Sequence, residues 1–434
     1  MKKVLAFLLT MLLALSAFGC SKPDGQMAKD SQGSTTDSKD TAALSGTLTI
    51  WSWDVALAQL RDTAARFNEI YPDVKFVFEE MGTDQIYDKM TTSLATGSGL
   101  PDIVSLEGAV FSKYGTRFPG AFVDFTADIN AADFLPSKLA EATVDGKLLA
   151  YPWDAAPCGL FYRQDVFDAA GVDPASIKTW DDLIAAGQTI KEKTGYGMLP
   201  LATSRNDNIY RILLMQLNSW YFGSDGSTQV DSEASIKAMD MVKKLYDAGI
   251  TVNHADWDEY VGIITQDKVA CVAEAVWMAG SMKEEGAAQA GNWRVMDLPM
   301  LDETSTGAAS NGGSLIAVPS ATKNVAAAKA FVSFAMTDAK AQVDGFVNYG
   351  LYPSYIPSYS ESVFTEGDTY FGDQKIYELF AQIGKRIPQV DYTPNYEEMG
   401  DMTKNAVAQV TLEGADVKAT MEALQLELVN KFGK

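Results

Sequence analysis

The chain has 434 residues, enough for two domains, and its 47% hydrophobic and 21% charged residues are typical of a folded soluble protein. Its 57 acidic and 35 basic residues give a net charge of −22, which excludes the basic surface that nucleic-acid binding requires. One histidine and three cysteines are too few for a histidine-rich transition-metal site, and we expect no metal ion and no cofactor. The histidine, His254, lies in the segment NHADWD, which has no nucleophile signature, so we predict a solvated loop residue.

Residues 1–20 have the pattern of a secretory signal peptide. Two lysines precede an apolar run from Val4 to Phe18, and this run is too short to span a membrane. Residues 21–45 consist largely of Ser, Thr, Asp, Lys and Gly. Because they offer little apolar surface to bury, they predict a disordered tether.

The junction of these two segments is Gly19-Cys20 followed by the polar tether, which resembles a bacterial lipoprotein processing site. The sequence departs from that pattern at Ala17, where such sites usually carry leucine. The resemblance implies that Cys20 becomes the mature N-terminus and carries acyl chains that anchor the protein on the extracytoplasmic face of the cell membrane. An unmodified secreted protein is the alternative.

From residue 46 onward, strands and helices alternate. Residues 47–51, 74–78 and 102–106 predict short strands, and apolar residues at helical spacing predict helices at 57–70 and 86–94 between them. This alternation is typical of a parallel sheet with right-handed crossovers, which indicates an α/β lobe.

A second lobe is predicted to begin near Trp153-Asp154. Its elements and the late elements of the chain are, in order, a strand at 159–162, helices at 180–193, 210–218 and 233–248, strands at 268–273 and 314–318, and helical stretches at 325–336 and 406–429. Residues 302–313 and 350–370 predict loops, the second of them a crossing between lobes.

Five segments of the sequence carry a specific signal in combination. In chain order they are RFNEIYPDVKFVFEE, LATGSGLPDIVSLE, GKLLAYPWDAAPCGLFYRQDVFDAAGVDPASIKTWDDL, DKVACVAEAVWMAG and GGSLIAVPSATKNVAAAKAFVSFAM. Their order and spacing resemble the extracellular solute-binding proteins of ABC sugar importers, within the maltose-binding protein superfamily. The resemblance covers residues 46–434, and FYRQDVFDAAG is most similar to the branch that binds lactose and arabinose-containing oligosaccharides.

The resemblance implies an α/β, two-lobed fold of the periplasmic-binding-protein type II class. Mapped onto this sequence, the N-lobe would comprise residues 46–153 and 315–352, and the C-lobe residues 154–312 and 353–434.

Three chain crossings would join these lobes, near residues 153–157, 311–314 and 352–355. The implied function is that of a monomeric receptor, not an enzyme. It would capture an oligosaccharide outside the cell, close around it, and deliver it to the permease subunits of an ABC transporter.

Sugars are bound by polar groups that pair with hydroxyls and by flat aromatic rings that cover C–H faces. Because α/β sheets bind ligands at the carboxyl ends of their strands, we take as candidates the residues that follow predicted strands. These candidates are Trp53, Asp54, Glu80, Glu107 and Trp277. In the family a stacking tryptophan occupies the position of Trp277. The alternatives are a helix N-cap for Asp54, solvated loop acids for Glu80 and Glu107, and a core residue for Trp277.

Two further candidates, Trp153 and Asp154, lie on the first predicted crossing, where they would reach the ligand from both lobes. Asn206 falls, with Asn208 and Arg211, where the family carries an aromatic and acidic contact segment. The sequence departs from the family there, because two amides and a cation replace that segment.

The last candidates lie late in the chain. Gly312 and Gly313 would present backbone N–H groups to hydroxyls, with a plain loop as the alternative. Tyr396 falls where the family supplies another sugar-facing aromatic ring, with ordinary packing as the alternative.

Some alternatives stay open at the level of sequence. Cys158 and Cys271 lie on or beside predicted strands of the C-lobe. They could form a disulfide or remain buried free thiols. A secreted glycoside hydrolase would also be acidic and rich in aromatic residues, and would use a pair of carboxylates. A sugar-sensing subunit would share every feature of a transport subunit.

Overall fold

The computed structural model describes residues 44–433, which belong to one compact unit. The predicted signal peptide, the lipidation site Cys20 and residues 21–43 of the predicted tether lie outside the described residues. No helix between residues 44 and 433 combines the length and apolar character needed to cross a bilayer.

Short strands and longer helices make up the described chain. Its strands are β1 (Gly46–Ser52), β2 (Val74–Glu80), β3 (Ile103–Glu107), β4 (Thr143–Val144), β5 (Lys147–Leu148), β6 (Tyr151–Pro152), β7 (Cys158–Arg163), β8 (Leu199–Pro200), β9 (Thr251–Val252), β10 (Cys271–Ala275), β11 (Trp293–Met296) and β12 (Ser314–Ala317). Its α-helices are α1 (Asp54–Ile70), α2 (Thr83–Thr96), α3 (Gly108–Arg117), α4 (Pro136–Ala142), α5 (Gln164–Ala170), α6 (Trp180–Thr194), α7 (Asn208–Gln216), α8 (Glu233–Asp247), α9 (Trp257–Thr265), α10 (Met278–Glu285), α11 (Val325–Thr337), α12 (Ala339–Tyr349), α13 (Ile376–Gly384), α14 (Tyr396–Leu412) and α15 (Val417–Phe432).

A five-stranded sheet in the order β2-β1-β3-β12-β6 forms the first lobe, here called the N-lobe. β1 runs parallel to β2 and β3, whereas the late strand β12 runs antiparallel to β3 and β6. Successive residues of β1 point to opposite faces of the sheet. Ile50 packs with α1 and α11, and Trp51 packs with α2 and α3, so the sheet lies between two layers of helices.

A three-stranded antiparallel sheet in the order β10-β7-β11 is the centre of the second lobe, the C-lobe. Leu160 and Phe161 of β7 again divide the core. Leu160 packs with α5 to α8 and with the late helices α14 and α15, and Phe161 packs with α9, α10 and α13. The short pair β8–β9 lies beside β10, where the N–H of Cys271 donates to the carbonyl of Met198 at 2.8 Å.

Three chain segments lie side by side between the two sheets. The N–H of Trp153 donates to the carbonyl of Ser314 at 3.2 Å, the N–H of Ser354 donates to the carbonyl of Trp153 at 2.8 Å, and the N–H of Ala155 donates to the carbonyl of Tyr352 at 2.7 Å. These segments coincide with the three predicted crossings. The lobe boundaries given above stay predictions.

The late helical stretch predicted at 406–429 covers parts of two helices, α14 and α15. The structure has two helices there, because Gly414 adopts a positive φ of 68° and the carboxylate of Asp416 accepts the N–H of Ala419 at 2.8 Å to start α15.

The two described cysteines are free and buried, so the disulfide alternative is wrong. Cys158 pairs with Ala275 across the β7–β10 ladder, and Cys271 pairs with Tyr162. The two cysteines therefore stand four residues apart along the ladder, roughly 13 Å, which is beyond the reach of a disulfide.

Candidate ligand-binding site

A pocket of about 90 Å³ lies within the C-lobe, between the loop 200–208, helix α9 and the end of β10. We call it the C-lobe pocket. Its inner residues, His254, Tyr260 and Glu274, are buried, whereas its rim includes the more exposed Arg205 and Trp257. The pocket therefore combines a polar interior with an aromatic rim.

Glu274 is the carboxylate at the inner end of this pocket, and only 2% of its surface is exposed. One oxygen accepts the side-chain N–H of Asn311 at 2.8 Å and the N–H of Ala275 at 2.9 Å, and the other accepts the hydroxyl of Tyr260 at 3.2 Å. Burial raises the pKa of Glu274, and the hydrogen bonds oppose this rise. The structure thus holds the Glu274 carboxylate in place beside Asn311 of the second crossing.

Trp277 follows β10 by two residues and takes the N-cap position of α10. Its indole N–H donates to the carbonyl of Asn311 at 3.0 Å, and its ring lies 5.7 Å from the ring of Trp257 at an angle of 45°. The side chain is half-buried and lines the C-lobe pocket. Gly312 packs beside it with a φ of 97°, a conformation that favours glycine.

Three of the N-lobe candidates are exposed or half-buried. Trp53 is half-buried and occupies the N-cap position of α1, so the alternative that Asp54 caps this helix is wrong. Asp54 is the exposed first residue of the helix. Glu80 has a side chain that is 56% exposed, 3.8 Å from Arg61. The structure does not bring these three residues to the C-lobe pocket.

Glu107 ends β3 and takes the N-cap position of α3. Burial raises the pKa of its carboxyl, while Tyr87, Arg211 and Lys138 lower it. In the β3–β12 ladder Glu107 pairs with Ser314, so it lies beside the second crossing.

The charged side chains at the first crossing already make hydrogen bonds or ion pairs within the protein. The buried Asp154 accepts the N–H of Ser314 at 2.8 Å, and the neighbouring Lys138 and Glu141 form a buried ion pair. A Cβ on Gly313 would lie 3.0 Å from the Lys138 amine, and Gly313 has a φ of 95°. Gly313 therefore serves close packing at the crossing.

Trp153 lies in the N-lobe core and is almost fully buried. Its indole N–H donates to the side-chain oxygen of Gln59 in α1 at 2.9 Å. Since this bond uses its single polar group, the ring stabilises the N-lobe next to the crossing and has no polar group left for a ligand.

The remaining candidates lie around α7 and the start of α14. Asn206 is half-buried at the pocket rim, where its side chain accepts the N–H of Asn208 at 3.2 Å. Tyr396 begins α14, and its hydroxyl accepts a hydrogen bond from Arg211 at 2.6 Å. The ring of Tyr396 lies 6.2 Å from that of Trp220 at an angle of 13°.

His254 was predicted wrongly as a solvated loop residue. Only 5% of its surface is exposed, and its ring lies 4.6 Å from the ring of Tyr260. Burial lowers its pKa, so the imidazole is neutral at pH 7. Sequence reasoning missed this environment because the neighbours of His254 come from α9 and β10, further along the chain.

Sequence reasoning also passed over Glu274, Tyr260 and Trp257. Glu274 lies within the quoted segment DKVACVAEAVWMAG, and a single carboxylate in an otherwise apolar strand was the available signal. Within residues 44–433, no group of three or more His, Cys, Asp or Glu side chains is arranged to hold a metal ion.

Residues 62–370 match the family model described as bacterial extracellular solute-binding protein. The chain belongs to this family. Its members lie outside the cytoplasm and bind solutes, so the alternative of a secreted glycoside hydrolase is set aside.

Two curated relatives are similar over most of the chain. A lactose-binding protein of Rhizobium radiobacter is 29% identical over 394 residues, which covers 89% of this chain and 93% of that protein. An arabinooligosaccharide-binding protein of Bacillus subtilis (strain 168) is 29% identical over 347 residues, which covers 77% of this chain and 76% of that protein. Both relatives carry the names of the branch that the FYRQDVFDAAG segment resembles.

Solved structures confirm the two-lobed α/β fold. The GacH receptor of Streptomyces glaucescens matches with a TM-score of 0.76 at 21% identity, over 89% of this chain and 98% of that chain. An ABC transporter associated binding protein from B. animalis subsp. lactis, solved with β-1,6-galactobiose, matches with a TM-score of 0.73 at 22% identity, over 89% and 97% of the two chains.

Proposed function

We propose that this protein is an extracytoplasmic receptor that binds a neutral oligosaccharide in the cleft between its lobes and delivers it to the permease subunits of an ABC transporter. The observation that carries the proposal is the C-lobe pocket, where Trp257 and Trp277 keep part of their rings exposed. Aromatic faces cover the C–H surface of a sugar ring. The paired carboxylate of Glu274 fixes Asn311, whose carbonyl accepts the indole N–H of Trp277. The relatives named for lactose and arabinooligosaccharide support a sugar as the solute.

The carboxylates near the cleft disfavour an anionic ligand. Glu107, Glu141 and Asp154 lie on the N-lobe side, and Glu274 lies on the C-lobe side. An anionic group such as phosphate would meet these carboxylates in a region of low dielectric constant, where repulsion between like charges is strong.

Closure of the two lobes would follow from ligand binding by population shift, because a ligand between them contacts both only in the closed state. The three adjacent crossings are the segments that would bend. Lys113 of α3 and Glu397 of α14 already lie 2.7 Å apart across the cleft, which supports a closed arrangement in this structure.

The finer parts of the proposal concern the N-terminus and the assembly. Cys20 would carry the lipid that anchors the receptor to the membrane, and the receptor would act as a monomer. The membrane anchor is tested by detergent phase partition of the full-length chain and of its Cys20→Ser variant. The full-length chain is expected in the detergent phase and the variant in the aqueous phase; two identical distributions would contradict the anchor.

The sugar-binding proposal is tested by native mass spectrometry of the protein as purified, followed by calorimetric titration with lactose, arabinotriose and β-1,6-galactobiose. We expect one sugar bound per chain for at least one of the three, with no reducing sugar released on prolonged incubation. Protein that binds none of them, or that cleaves one, would contradict the proposal.

A further inference from the structure

The start of α14 lies at the boundary between the lobes. Glu397 pairs with Lys113 of the N-lobe at 2.7 Å, and the carbonyl of Pro394 accepts a hydrogen bond from Arg117 of the N-lobe at 3.5 Å. Tyr396 lies between these two contacts in the sequence and is half-buried. The negative charge of Glu107, on the opposite lobe, also acts on its hydroxyl. The phenol of Tyr396 therefore stands at the cleft.

A single guanidinium, that of Arg211, holds this phenol. Its Nη1 donates to the Tyr396 hydroxyl oxygen at 2.6 Å, its Nε donates to Asp207 at 2.9 Å, and its Nη2 donates to the side-chain oxygen of Asn208. The second oxygen of the buried Asp207 accepts the hydroxyl of Tyr221. Besides Tyr396, Arg211 is thus held by two groups, Asp207 and Asn208, and Asp207 is itself held by Tyr221.

The direction of the bond between Arg211 and Tyr396 determines what the phenol can do. A guanidinium has five N–H donors and no acceptor, whereas a phenol has one donor hydrogen and an accepting oxygen. The hydroxyl of Tyr396 must therefore accept from Arg211, and its own hydrogen points elsewhere. Among residues 44–433, no hydrogen-bond acceptor receives that hydrogen.

Arg211 also makes the phenol a better donor. Burial raises the pKa of Tyr396 to about 12, and the guanidinium opposes this rise by stabilising the developing negative charge. A hydrogen bond whose oxygen already accepts from a cation is polarised toward donation.

We infer that Arg211 is a positioning residue that makes Tyr396 an obligate hydrogen-bond donor toward an oxygen atom of the bound sugar. The inference rests on the sugar-binding function proposed above. It predicts a ligand preference that could not be predicted from the residue types alone. At this point of the cleft the ligand must offer an acceptor, such as a hydroxyl, ring or glycosidic oxygen, and a group that can only donate is rejected.

The test is a double-mutant cycle on the dissociation constants for lactose and arabinotriose. Tyr396→Phe removes the donor and is expected to weaken binding about tenfold, the loss of one hydrogen bond near the upper end of its usual worth. Arg211→Lys keeps the positive charge, but an ammonium cannot bond Asp207, Asn208 and Tyr396 in the same fixed geometry, so a similar loss is expected.

Coupling between the two residues is the decisive readout. If Arg211 acts through Tyr396, the double variant should bind about as weakly as either single variant, roughly tenfold below wild type. A loss near the product of the two, roughly a hundredfold, would contradict the inference, because a residue with a merely structural role would give independent effects.

Tyr392→Phe is the matched control. Its ring packs against Tyr396 at 5.0 Å in the same aromatic cluster, but Arg211 donates to the hydroxyl of Tyr396 and not to that of Tyr392. Affinity within twofold of wild type is expected for this variant. An equal loss in Tyr392→Phe and Tyr396→Phe, or no loss in Tyr396→Phe, would overturn the inference.

The outcomes also separate this inference from the proposed function. Wild-type protein that binds neither sugar would contradict both. Wild-type protein that binds a sugar and loses it on Trp277→Ala, but not on Tyr396→Phe, would contradict only the role of Arg211 and Tyr396. Tyr396→Phe also leaves the Nη1 of Arg211 without its partner, so its unfolding midpoint is expected to fall below that of Tyr392→Phe, and affinities are compared at a temperature where both variants are folded.

Discussion

The two sides of the cleft use their polar and aromatic groups differently. On the C-lobe side, Trp257 and Trp277 keep part of their rings exposed around the C-lobe pocket. On the N-lobe side, Lys138, Glu141 and Asp154 are buried. Lys138 pairs with Glu141, and Asp154 accepts a backbone N–H of the second crossing.

This difference separates groups that are free to bind a ligand from groups that hold the fold. A buried charge whose bonds are already made stabilises its surroundings and has little capacity left for a solute. A half-exposed aromatic ring has a face to offer. A residue near the cleft is therefore a candidate for ligand binding only if it has an exposed ring face or an unpaired polar group.

The largest effect is expected from breaking the buried ion pair on the N-lobe side. Lys138→Met leaves Glu141 as an uncompensated buried charge, so the free energy of unfolding should fall by about 3–5 kcal/mol in urea titrations. The control is Lys147→Met, since the Lys147 amine is exposed and 3.7 Å from Asp124. A change below about 1 kcal/mol is expected for that control. Equal losses in the two variants would show that burial does not distinguish them.

A smaller effect is expected from the titration of Glu274, which makes the free energy of unfolding depend on pH. Because burial raises the pKa of Glu274, the folded protein holds its proton at pH values where the unfolded chain has released it. The free energy of unfolding should therefore fall as pH rises from the usual carboxyl range through the raised value.

Glu274→Gln removes this contribution, so its melting temperature should depend less steeply on pH across that window than the wild type's. Glu80→Gln, at an exposed carboxyl, is the control and should follow the wild type. A Glu274→Gln curve parallel to the wild type would contradict the assignment.

The smallest effect is expected where the two sides meet, at Lys113 and Glu397. Both side chains are partly exposed, so their ion pair should stabilise the closed state by no more than about 1 kcal/mol. Lys113→Glu should raise the radius of gyration of the ligand-free protein in small-angle scattering. The charge-swapped double variant Lys113→Glu/Glu397→Lys should restore the smaller radius, and a swap that fails to restore it would argue against the pair.

Much of the fold could be predicted from sequence because its signals are local. Alternation in β1 and β2, and helical spacing in α1, depend on neighbours a few residues apart. The break between α14 and α15 also had a local signal, Gly414 followed by Asp416, within the helical stretch predicted at 406–429.

The site was harder to predict because its contacts join distant parts of the chain. Trp153 lies on a crossing, yet Gln59 binds its indole within the N-lobe, 94 residues away in sequence. The phenol of Tyr396 is held by Arg211, 185 residues away. Residue type and strand position predicted Trp277 at the pocket, but they do not show which polar groups are already paired.

The most direct test of the account is a calorimetric titration of Trp277→Ala beside the wild type, with the sugar that the wild type binds. The exposed part of the Trp277 ring is assigned to the ligand, so the variant should lose about 1–3 kcal/mol of binding free energy, a roughly 5- to 150-fold rise in the dissociation constant. Some loss of stability is also expected, because the indole packs on both C-lobe cores and donates to Asn311. A dissociation constant within twofold of wild type would contradict the claim that the C-lobe side of the cleft binds the sugar.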